Sequence, residues 1–406
     1  MSKRYPSGFI SAFYDPLKNP NAPTIGVPVA GDSDVSVVFT APTNVGGSAI
    51  TSFTATSNTN ISASSSASPI TVSGLTNGSS YTFTVFATNS YGPSAYSGVS
   101  ASASPFAQLA VFAGGAGVFG SNQNFMQYRS IASLGDFTSF GTLGQSGYQG
   151  CGLGSTTRGI FAGLYGDGDV NNIYYITFAT TGNATNFGDM AFAGRSRGAC
   201  NSSTRGIFAG GATIFGGDTS EIEYITIAST GNGTSFGNLT GSGGGGTTGL
   251  SSPTRGVFTR SVFNSTPTNI IEYITIASTG NATDFGDLTV ARTAHGGGSN
   301  STRGVFSGGG TATGGYGSPT NVIDYITIAS TGNATDFGDM VPSVYNLAGA
   351  SSSTRVLFAG ATNSAGDRFG FCDYITIAST GNSLDFGGFS TAAGPAGCSN
   401  VNGGVQ

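Results

Sequence analysis

Few residues of this chain have the types and spacing that chemistry requires. The only histidine, His295, lies three residues after Arg292, and the sequence positions no Asp to orient its ring for a Ser-His-Asp mechanism. The four cysteines form no CxxC pair and have no His partner pattern, so they predict no metal site. The glycines at 243–246 lack the Lys and the following helix of a phosphate-binding loop. We therefore expect no catalysis and no cofactor, and these residues predict no metal site. The sequence leaves open whether an Asp-bearing loop binds a metal ion.

Three of the cysteines, Cys151, Cys200 and Cys398, are expected to occupy one equivalent place among small packed residues. Asn-Ala-Thr triplets at 183, 281 and 333 match the acceptor pattern of N-glycosylation. They are predicted to lie in tight turns. The absence of a signal peptide also argues against glycosylation, so a structural role is expected for both groups of residues.

An arginine recurs at the same place along the chain, and it has two interpretations. A ring of guanidinium groups at one level would attract carboxylate or phosphate. Alternatively, each guanidinium would bond to carbonyl groups and tie neighbouring turns together, which is the interpretation we favour. The arginines are Arg158, Arg205, Arg255, Arg303 and Arg355.

These arginines belong to a block of about fifty residues that recurs six times from Leu109 onward. Within each copy Thr, Val, Ile, Phe and Tyr alternate in short runs, which is typical of pleated strands. A Tyr and two Phe fix the register, and in the fifth copy they are Phe306, Tyr325 and Phe337. A repeat of this length predicts a β-propeller of six blades.

The repeat also predicts how the ring of blades closes. A full copy supplies four strands, named a to d from the axis outward, at residues 198–203, 205–211, 223–229 and 235–239 of the third copy. The first copy begins at its b strand, at Leu109, whereas residues 395–403 follow the last d strand and align with 197–206. We therefore predict that the C-terminal segment supplies the missing inner strand of the first blade, which covers two strand edges.

The two ends of the blades differ in how closely they repeat. The a–b and c–d turns are nearly copied, as Ser-Thr-Arg and Thr-Gly-Asn, whereas the b–c loops vary in length and content. Variable loops on a rigid scaffold commonly carry recognition, and aromatic residues beside Asp, Asn and Gly suit binding to sugars. Drift without selection is the alternative. The candidate receptor- or glycan-binding residues are Tyr165, Asp167, Phe215, Phe263, Tyr316, Arg368 and Phe369.

Composition excludes several classes of partner. Only 8% of the 406 residues are charged, the net charge is -5, and no basic stretch exceeds Lys3-Arg4, so nucleic acid is not expected as a partner. No apolar stretch approaches the ~20 residues that span a bilayer, so membrane insertion is not expected. The apolar run at residues 8–13 is shorter than a signal-peptide core, so export is not expected.

The region before the repeats divides into two parts. Residues 1–22 are rich in Pro and Asn, which disfavour helix and central strand, and they predict a docking arm. Residues 23–105 contain alternating strands, in which Val35, Val37 and Phe39 share a face, as do Tyr81 and Phe83.

Three runs in this second part resemble a fibronectin type III domain: VSVVFTAP (35–42), AITSFTATS (49–57) and ITVSGLTNGSSYTFTVFATNSYGPS (70–94). Leu75 and Tyr81 lie in the places of the family's tyrosine corner, and Phe39 stands where the family usually has Trp. The resemblance implies a β-sandwich.

From residue 106 onward, the order of Arg292, GVFSGG (304–309), a Tyr-bearing strand and Phe337 resembles kelch repeats. The predicted fold class is therefore all-β. It consists of a fibronectin type III β-sandwich followed by a six-bladed kelch-like β-propeller at 106–406, closed by the C-terminal strand.

This domain order and the opening SGFISAFYDPLKNPNAPT (7–24) resemble virion appendage proteins of marine tailed bacteriophages. The resemblance implies a non-enzymatic tail fibre or receptor-binding protein on the virion surface. Its arm would bind other virion proteins, and its propeller would bind a host surface glycan or protein.

Three alternatives remain. They are a capsid-decorating or vertex fibre, a bacterial surface adhesin or lectin-like module, and a propeller enzyme, the last disfavoured because the predicted a strands carry no carboxylate. No heptad segment is present to enforce a trimer, so the sequence leaves homo-oligomerisation open.

Overall fold

The chain is an all-β protein, as the sequence predicts. In the computed structural model every helix or strand element among the described residues is a strand, and none of these residues forms a helix that could cross a membrane. The chain divides into two compact units, Met1–Ala107 and Gln108–Gln406. The described residues are 17–117, 121–166, 171–213, 217–243, 245–261, 266–312, 318–389 and 393–401.

The first unit contains two larger antiparallel sheets around one core. A further pair of strands joins Thr24–Ile25 to Phe39–Thr40. In spatial order the three-stranded sheet consists of Val29–Ala30, Asp34–Val37 and Ile70–Ser73. The four-stranded sheet consists of Ser62–Ser65, Ser52–Ser57, Phe83–Asn89 and Gly92–Pro93. Alternate side chains of both sheets, including Val35, Val37 and Phe83, are buried together, because successive residues of a strand face opposite sides.

Tyr81 fixes the connection that precedes the strand Phe83–Asn89. Its side chain is 6% exposed, and its hydroxyl oxygen accepts the backbone N–H of Thr76 at 3.0 Å. Leu75 is buried in the same core. Part of the predicted arm also contacts this unit, because the N–H groups of Lys18 and Asn21 donate to the carbonyls of Gly46 and Asn44, each at 3.0 Å.

The second unit contains six four-stranded antiparallel sheets, here called sheets 1 to 6, with strands a to d in spatial order. It also contains a two-stranded sheet, in which Gly147–Tyr148 pairs with Tyr165–Gly166. The a strands are Ala396–Ser399, Cys151–Gly154, Gly198–Asn201, Thr248–Ser251, Gly296–Ser299 and Ala348–Ser351. The b strands are Leu109–Ala113, Arg158–Ala162, Arg205–Ala209, Arg255–Thr259, Arg303–Ser307 and Arg355–Thr362. The c strands are Phe125–Ser130, Asn172–Thr177, Thr219–Thr226, Ile270–Thr275, Val322–Thr327 and Arg368–Thr376. The d strands are Thr138–Thr142, Thr185–Asp189, Thr234–Gly243, Thr283–Asp287, Thr335–Asp339 and Leu384–Asp385.

The predicted role of the C-terminal segment is confirmed. Ala396–Ser399 pairs antiparallel with Leu109–Ala113, with Ala110 opposite Ser399. Each a strand also contacts the a strand of the next sheet, and the a strand of sheet 6 contacts that of sheet 1. The six a strands therefore form a closed cycle, with hydrophobic cores between neighbouring sheets.

Several details of the sequence prediction were wrong. In sheet 3 the a and b strands end two residues earlier than predicted, at Asn201 and Ala209, and the d strand extends to Gly243. The c strand of sheet 3 was predicted at 223–229 but spans Thr219–Thr226, because Ile227 already donates its N–H to Thr204 of the adjacent turn. Cys200 and Cys398 occupy the third place of their a strands, but Cys151 occupies the first and Leu153 takes the third. The four cysteines are buried and unbridged, and burial raises the pKa of Cys151 to about 12.

Candidate binding site at the loop end

The connections of the six sheets lie at two distinct ends. We call the end with the a–b and c–d turns the turn end, and the end with the b–c and d–a connections the loop end. At the loop end, isolated backbone pairs join the region before an a strand to the end of a b strand, as in Tyr345 with Thr362, or to the region after it, as in Arg195 with Ala212. The b–c and d–a connections therefore lie together, as predicted.

The repeated arginines tie neighbouring sheets together at the turn end. Arg158 donates through Nη1 to the carbonyl of Ile227 in the next sheet at 3.0 Å, and its guanidinium carbon lies 4.7 Å from the ring centroid of Tyr175. Arg355 of sheet 6 donates to Ile131 of sheet 1, which continues the cycle. The equivalent bonds run from Arg205 to Ile276, from Arg255 to Ile328 and from Arg303 to Ile377. The structural interpretation of these arginines is confirmed.

The Asn of the Thr-Gly-Asn turns makes a second tie between sheets. Asn183 Oδ1 accepts the N–H of Thr142 in the preceding sheet at 3.0 Å, and Asn333 accepts that of Asp287 at 3.1 Å. The same role falls to Asp136 in sheet 1, which accepts the N–H of Gly388 at 2.8 Å. The polar groups that repeat at the turn end are therefore bonded within the fold.

At the loop end, Tyr165 belongs to a cluster of stacked side chains. Its ring meets that of Tyr148 edge-on, with centroids 5.7 Å apart, and the guanidinium carbon of Arg195 lies 4.0 Å from its centroid. All three side chains are partly exposed. Aromatic and guanidinium faces of this kind suit the apolar face of a sugar ring or a polar protein surface.

Arg368 and Phe369 begin the c strand of sheet 6 and are half-buried. Phe369 packs edge-on against Phe371, with centroids 6.0 Å apart. Burial raises the pKa of Tyr345, and the positive charge of Arg368 opposes that rise. These two predicted residues therefore have different neighbours from Tyr165. The other predicted residues, Asp167, Phe215, Phe263 and Tyr316, lie outside the described residues.

A cavity of about 110 Å³ lies among the six a strands near the loop end. We call it the central cavity. Its wall comes from the last residues of the d–a connections and from the first half of each a strand. Partly exposed polar side chains in the wall include Gln149, Thr248 and Asn346.

One residue of each d–a connection has a left-handed backbone, and these residues encircle the central cavity. Ser196 donates its N–H to the carbonyl of Gln149, and Asn346 donates to that of Ala294, each at 2.8 Å. A left-handed residue other than glycine costs roughly 1 kcal/mol or more, so these bonds offset a repeated local strain. The φ values are 57° at Gln149, 55° at Ser196, 97° at Gly246, 54° at Ala294, 60° at Asn346 and 65° at Gly394.

Two close-packed layers separate the central cavity from the turn end. The second place of each a strand is glycine, or Ala199 in sheet 3, and a Cβ added at Gly349 would overlap the carbonyl oxygen of Gly297. In the next layer Ser299 donates its hydroxyl to the carbonyl of Ser251 at 2.8 Å, and both serines are fully buried.

His295 and Ser196 bring buried polar atoms to the cavity wall. His295 is 3% exposed, its Nε2 lies 3.0 Å from Thr259 Oγ1, and its ring meets Phe306 edge-on. Burial and the nearby charge of Arg292 lower the pKa of His295 well below its usual value, so its ring is neutral. Among the residues that the structure describes, neither His295 Nδ1 nor the hydroxyl of Ser196, which is 8% exposed, has a hydrogen-bond partner.

Buried carboxylates near the loop end were not predicted from the sequence. They occupy equivalent places of four c strands, at Glu223, Glu272, Asp324 and Asp373. Two of them form ion pairs, Glu223 with Arg197 and Asp324 with Arg292. The other two bond to hydroxyl groups, Glu272 to that of Thr240 and Asp373 to that of Ser383. Across the part of the chain that the structure describes, no group of three or more His, Cys, Asp or Glu could hold a metal ion.

No protein-family model matches this chain, and no curated protein matches it either. The chemistry of the loop end therefore has to be inferred from its own side chains. Sequence reasoning found Tyr165 but missed its neighbours Tyr148 and Arg195. The available signal was that the residue three places before each a strand varies between copies. These residues are Tyr148, Arg195, Gly245, Thr293, Tyr345 and Ala393.

Proposed function

We propose that this chain is a non-enzymatic structural protein of a phage virion, a tail fibre or receptor-binding appendage on the virion surface. Its second unit would bind a host surface glycan or protein through the loop end. One observation carries the recognition proposal. At the turn end the repeated polar side chains are bonded between sheets, whereas at the loop end Tyr148, Tyr165 and Arg195 form a partly exposed stack.

The finer fold belongs to the same proposal. The closed cycle of six a strands and the pairing of the C-terminal strand support a six-bladed kelch-like β-propeller. The bond from Thr76 N–H to the Tyr81 hydroxyl supports a fibronectin type III domain, since the family's tyrosine corner makes such a bond. We assign the arm to residues 1–22, the sandwich to 23–105 and the propeller to 106–406.

The ligand class follows from the exposed side chains of the loop end. Tyr148 and Tyr165 offer ring faces and hydroxyl groups, and Arg195 adds donors in a fixed plane. Such side chains bind neutral sugars by stacking and hydrogen bonding, and they do not need a metal ion. The virion assignment rests on the resemblance of residues 7–24 and on the domain order, with the arm binding other virion proteins.

Immunogold electron microscopy of source phage particles, with antibody against residues 108–406, tests the location. Label at tail tips or fibres is expected. Label over the capsid would favour a decoration protein, and particles without label would exclude a virion component.

Binding of the purified full chain to host cells tests the recognition surface. We expect Tyr165→Ala and Arg368→Ala to reduce binding at least tenfold. The matched control is Leu384→Ala, because Leu384 is 58% exposed at the turn end. Equal losses in all three variants would contradict a loop-end surface.

A further inference from the structure

We infer that the central cavity binds one neutral, hydroxyl-bearing group, with Ser196 and His295 as its hydrogen-bonding residues. The source of this group, the end of a host glycan, rests on the proposed function. The chemistry of the cavity does not, because it follows from the wall itself.

The first argument is that the wall contains buried polar atoms without a hydrogen-bond partner, on Ser196, Arg197 and His295. The hydroxyl of Ser196 and Nδ1 of His295 belong to residues that are more than nine-tenths buried, and neither atom has a partner among the described residues. Buried polar groups are hydrogen-bonded in the great majority of cases, and those without a protein partner call for a ligand or an ordered water. Both residues line the same cavity, so a group bound there would lie beside both.

The second argument is that the one charged residue among the described lining, Arg197, is already paired with Glu223. Arg292, which lowers the pKa of His295, is paired with Asp324. His295 is neutral because burial and Arg292 lower its pKa. An ionised ligand would lose its hydration without gaining a counter-charge, so the cavity favours a neutral one.

The third argument is the match between the wall and hydroxyl chemistry. A hydroxyl group both donates and accepts, and the wall offers groups of both kinds in Ser196, Thr248 and Asn346. The neutral ring of His295 adds one donor or acceptor at Nδ1, depending on the tautomer.

Size and position limit how much of a glycan can enter. A cavity of about 110 Å³ is smaller than the roughly 150 Å³ cavity that holds benzene, so it accepts one edge or side arm of a sugar. Gln149 and Ser196 are two of the residues with a left-handed backbone that encircle the cavity. Tyr148 directly precedes Gln149, and Arg195 directly precedes Ser196. The rest of the sugar would therefore lie against the stack of Tyr148, Tyr165 and Arg195.

The test measures binding of neutral methyl glycosides of glucose, galactose, mannose and N-acetylglucosamine to the full chain, by saturation-transfer NMR and calorimetry. Ser196→Ala and His295→Leu each remove one unpartnered atom, and we expect each to weaken binding about tenfold or more. Alanine is compatible with position 196, because Ala294 has the same left-handed backbone, at φ 54°.

The matched control is Ser307→Ala. The Ser307 hydroxyl is also buried without a partner, but it does not line the cavity, and Ala162 and Ala209 occupy the equivalent place of other b strands. We expect binding within twofold of the unsubstituted chain. Thermal midpoints identify any variant that does not fold, and Ser196→Ala keeps the inference testable if His295→Leu fails.

Three results separate this inference from the proposed function. If no glycoside binds, or if binding ignores both substitutions, the cavity holds water only and the inference is wrong. If no glycoside binds in the cavity but host cells still bind the chain, the inference is wrong and the proposed function stands. If glycosides bind in the cavity but host cells are not bound, the inference stands and the proposed function fails.

Discussion

The turn end and the loop end of the second unit differ in how their polar side chains are bonded. At the turn end the same ties recur around the cycle, from Arg158 to Ile227 and onward to the bond between Arg355 and Ile131. At the loop end equivalent places carry different residues, such as Glu223 paired with Arg197 in sheet 3 and Asp373 bonded to Ser383 in sheet 6. The difference teaches that repetition marks the structural ties, and variation marks positions that can be adapted to a ligand.

The largest expected effect comes from breaking a tie at the loop end. Arg292→Leu leaves the fully buried Asp324 without its ion-pair partner, and we expect a loss of about 3–5 kcal/mol in the free energy of unfolding. Urea unfolding at neutral pH measures it. The double variant Arg292→Leu with Asp324→Asn removes both charges and should recover at least half of the loss. A single variant that costs less than about 1 kcal/mol would contradict the pairing.

The next largest effect on stability is expected at a glycine beside the central cavity, compared with a glycine at the turn end. A Cβ at Gly349, beside the central cavity, would overlap the carbonyl of Gly297, whereas one at Gly280, in a turn-end turn, would meet nothing within 4 Å. We expect Gly349→Ala to cost about 2–3 kcal/mol and Gly280→Ala to change stability by less than about 0.5 kcal/mol, in the same urea experiment. Equal costs would mean that the a strands do not pack backbone to backbone.

The regular part of this structure could be predicted because the repeat carries its own alignment. The first copy lacks an a strand and the chain ends with a surplus one, so the pairing of Ala396–Ser399 with Leu109–Ala113 follows from counting strands. The structural role of Arg205 and its equivalents could be predicted similarly, because a residue that recurs in five of the six copies suits a bond that neighbouring sheets share.

The candidate site was harder to predict, because its features do not share residue types. Gln149, Ser196 and Ala294 have the same left-handed backbone, which no single residue type signals. Arg197 directly precedes the a strand of sheet 3, whereas Arg292 lies four residues before the a strand of sheet 5. Because the two arginines do not align, the sequence does not reveal that both pair with a buried carboxylate. Contacts such as that of Tyr148 with Tyr165 depend on pairing across a connection, which the repeat does not encode.

A smaller effect tests whether the repeated arginines act between sheets. Arg303 donates to Ile377 of the next sheet at 2.8 Å and lies over Tyr325, so Arg303→Ala should cost about 1–2 kcal/mol. Arg129 is the matched control, because its Nη2 donates to Leu134 in its own turn at 2.7 Å. Arg129→Ala should cost less than about 0.5 kcal/mol. Thermal and urea unfolding measure both variants. If Arg303→Ala and Arg129→Ala cost the same stability, the bond between sheets would contribute nothing beyond a local bond.

The smallest effect concerns a loop-end carboxylate that has no ion-pair partner among the described contacts. Burial raises the pKa of Asp373 to about 6, Asp385 adds to the rise, and the hydrogen bond from Ser383 opposes it. The folded chain then binds the proton more tightly than the unfolded chain, so stability falls as pH rises from about 4 to about 6. The side chain of Asn in the variant Asp373→Asn has no proton to lose. The free energy of unfolding of this variant should therefore exceed that of the parent by about 1 kcal/mol above pH 6, with no difference near pH 4.

Ser383→Ala sharpens this last prediction, because it removes the one bond that favours the charged form of Asp373. The fall in stability between pH 4 and 7 should then become steeper and extend to higher pH. Urea midpoints across this range measure both variants. If the urea midpoints of both variants changed with pH in parallel with those of the parent, the ionisation of Asp373 would cost no folding stability. The loop end would then tolerate an unpaired carboxylate as readily as a paired one.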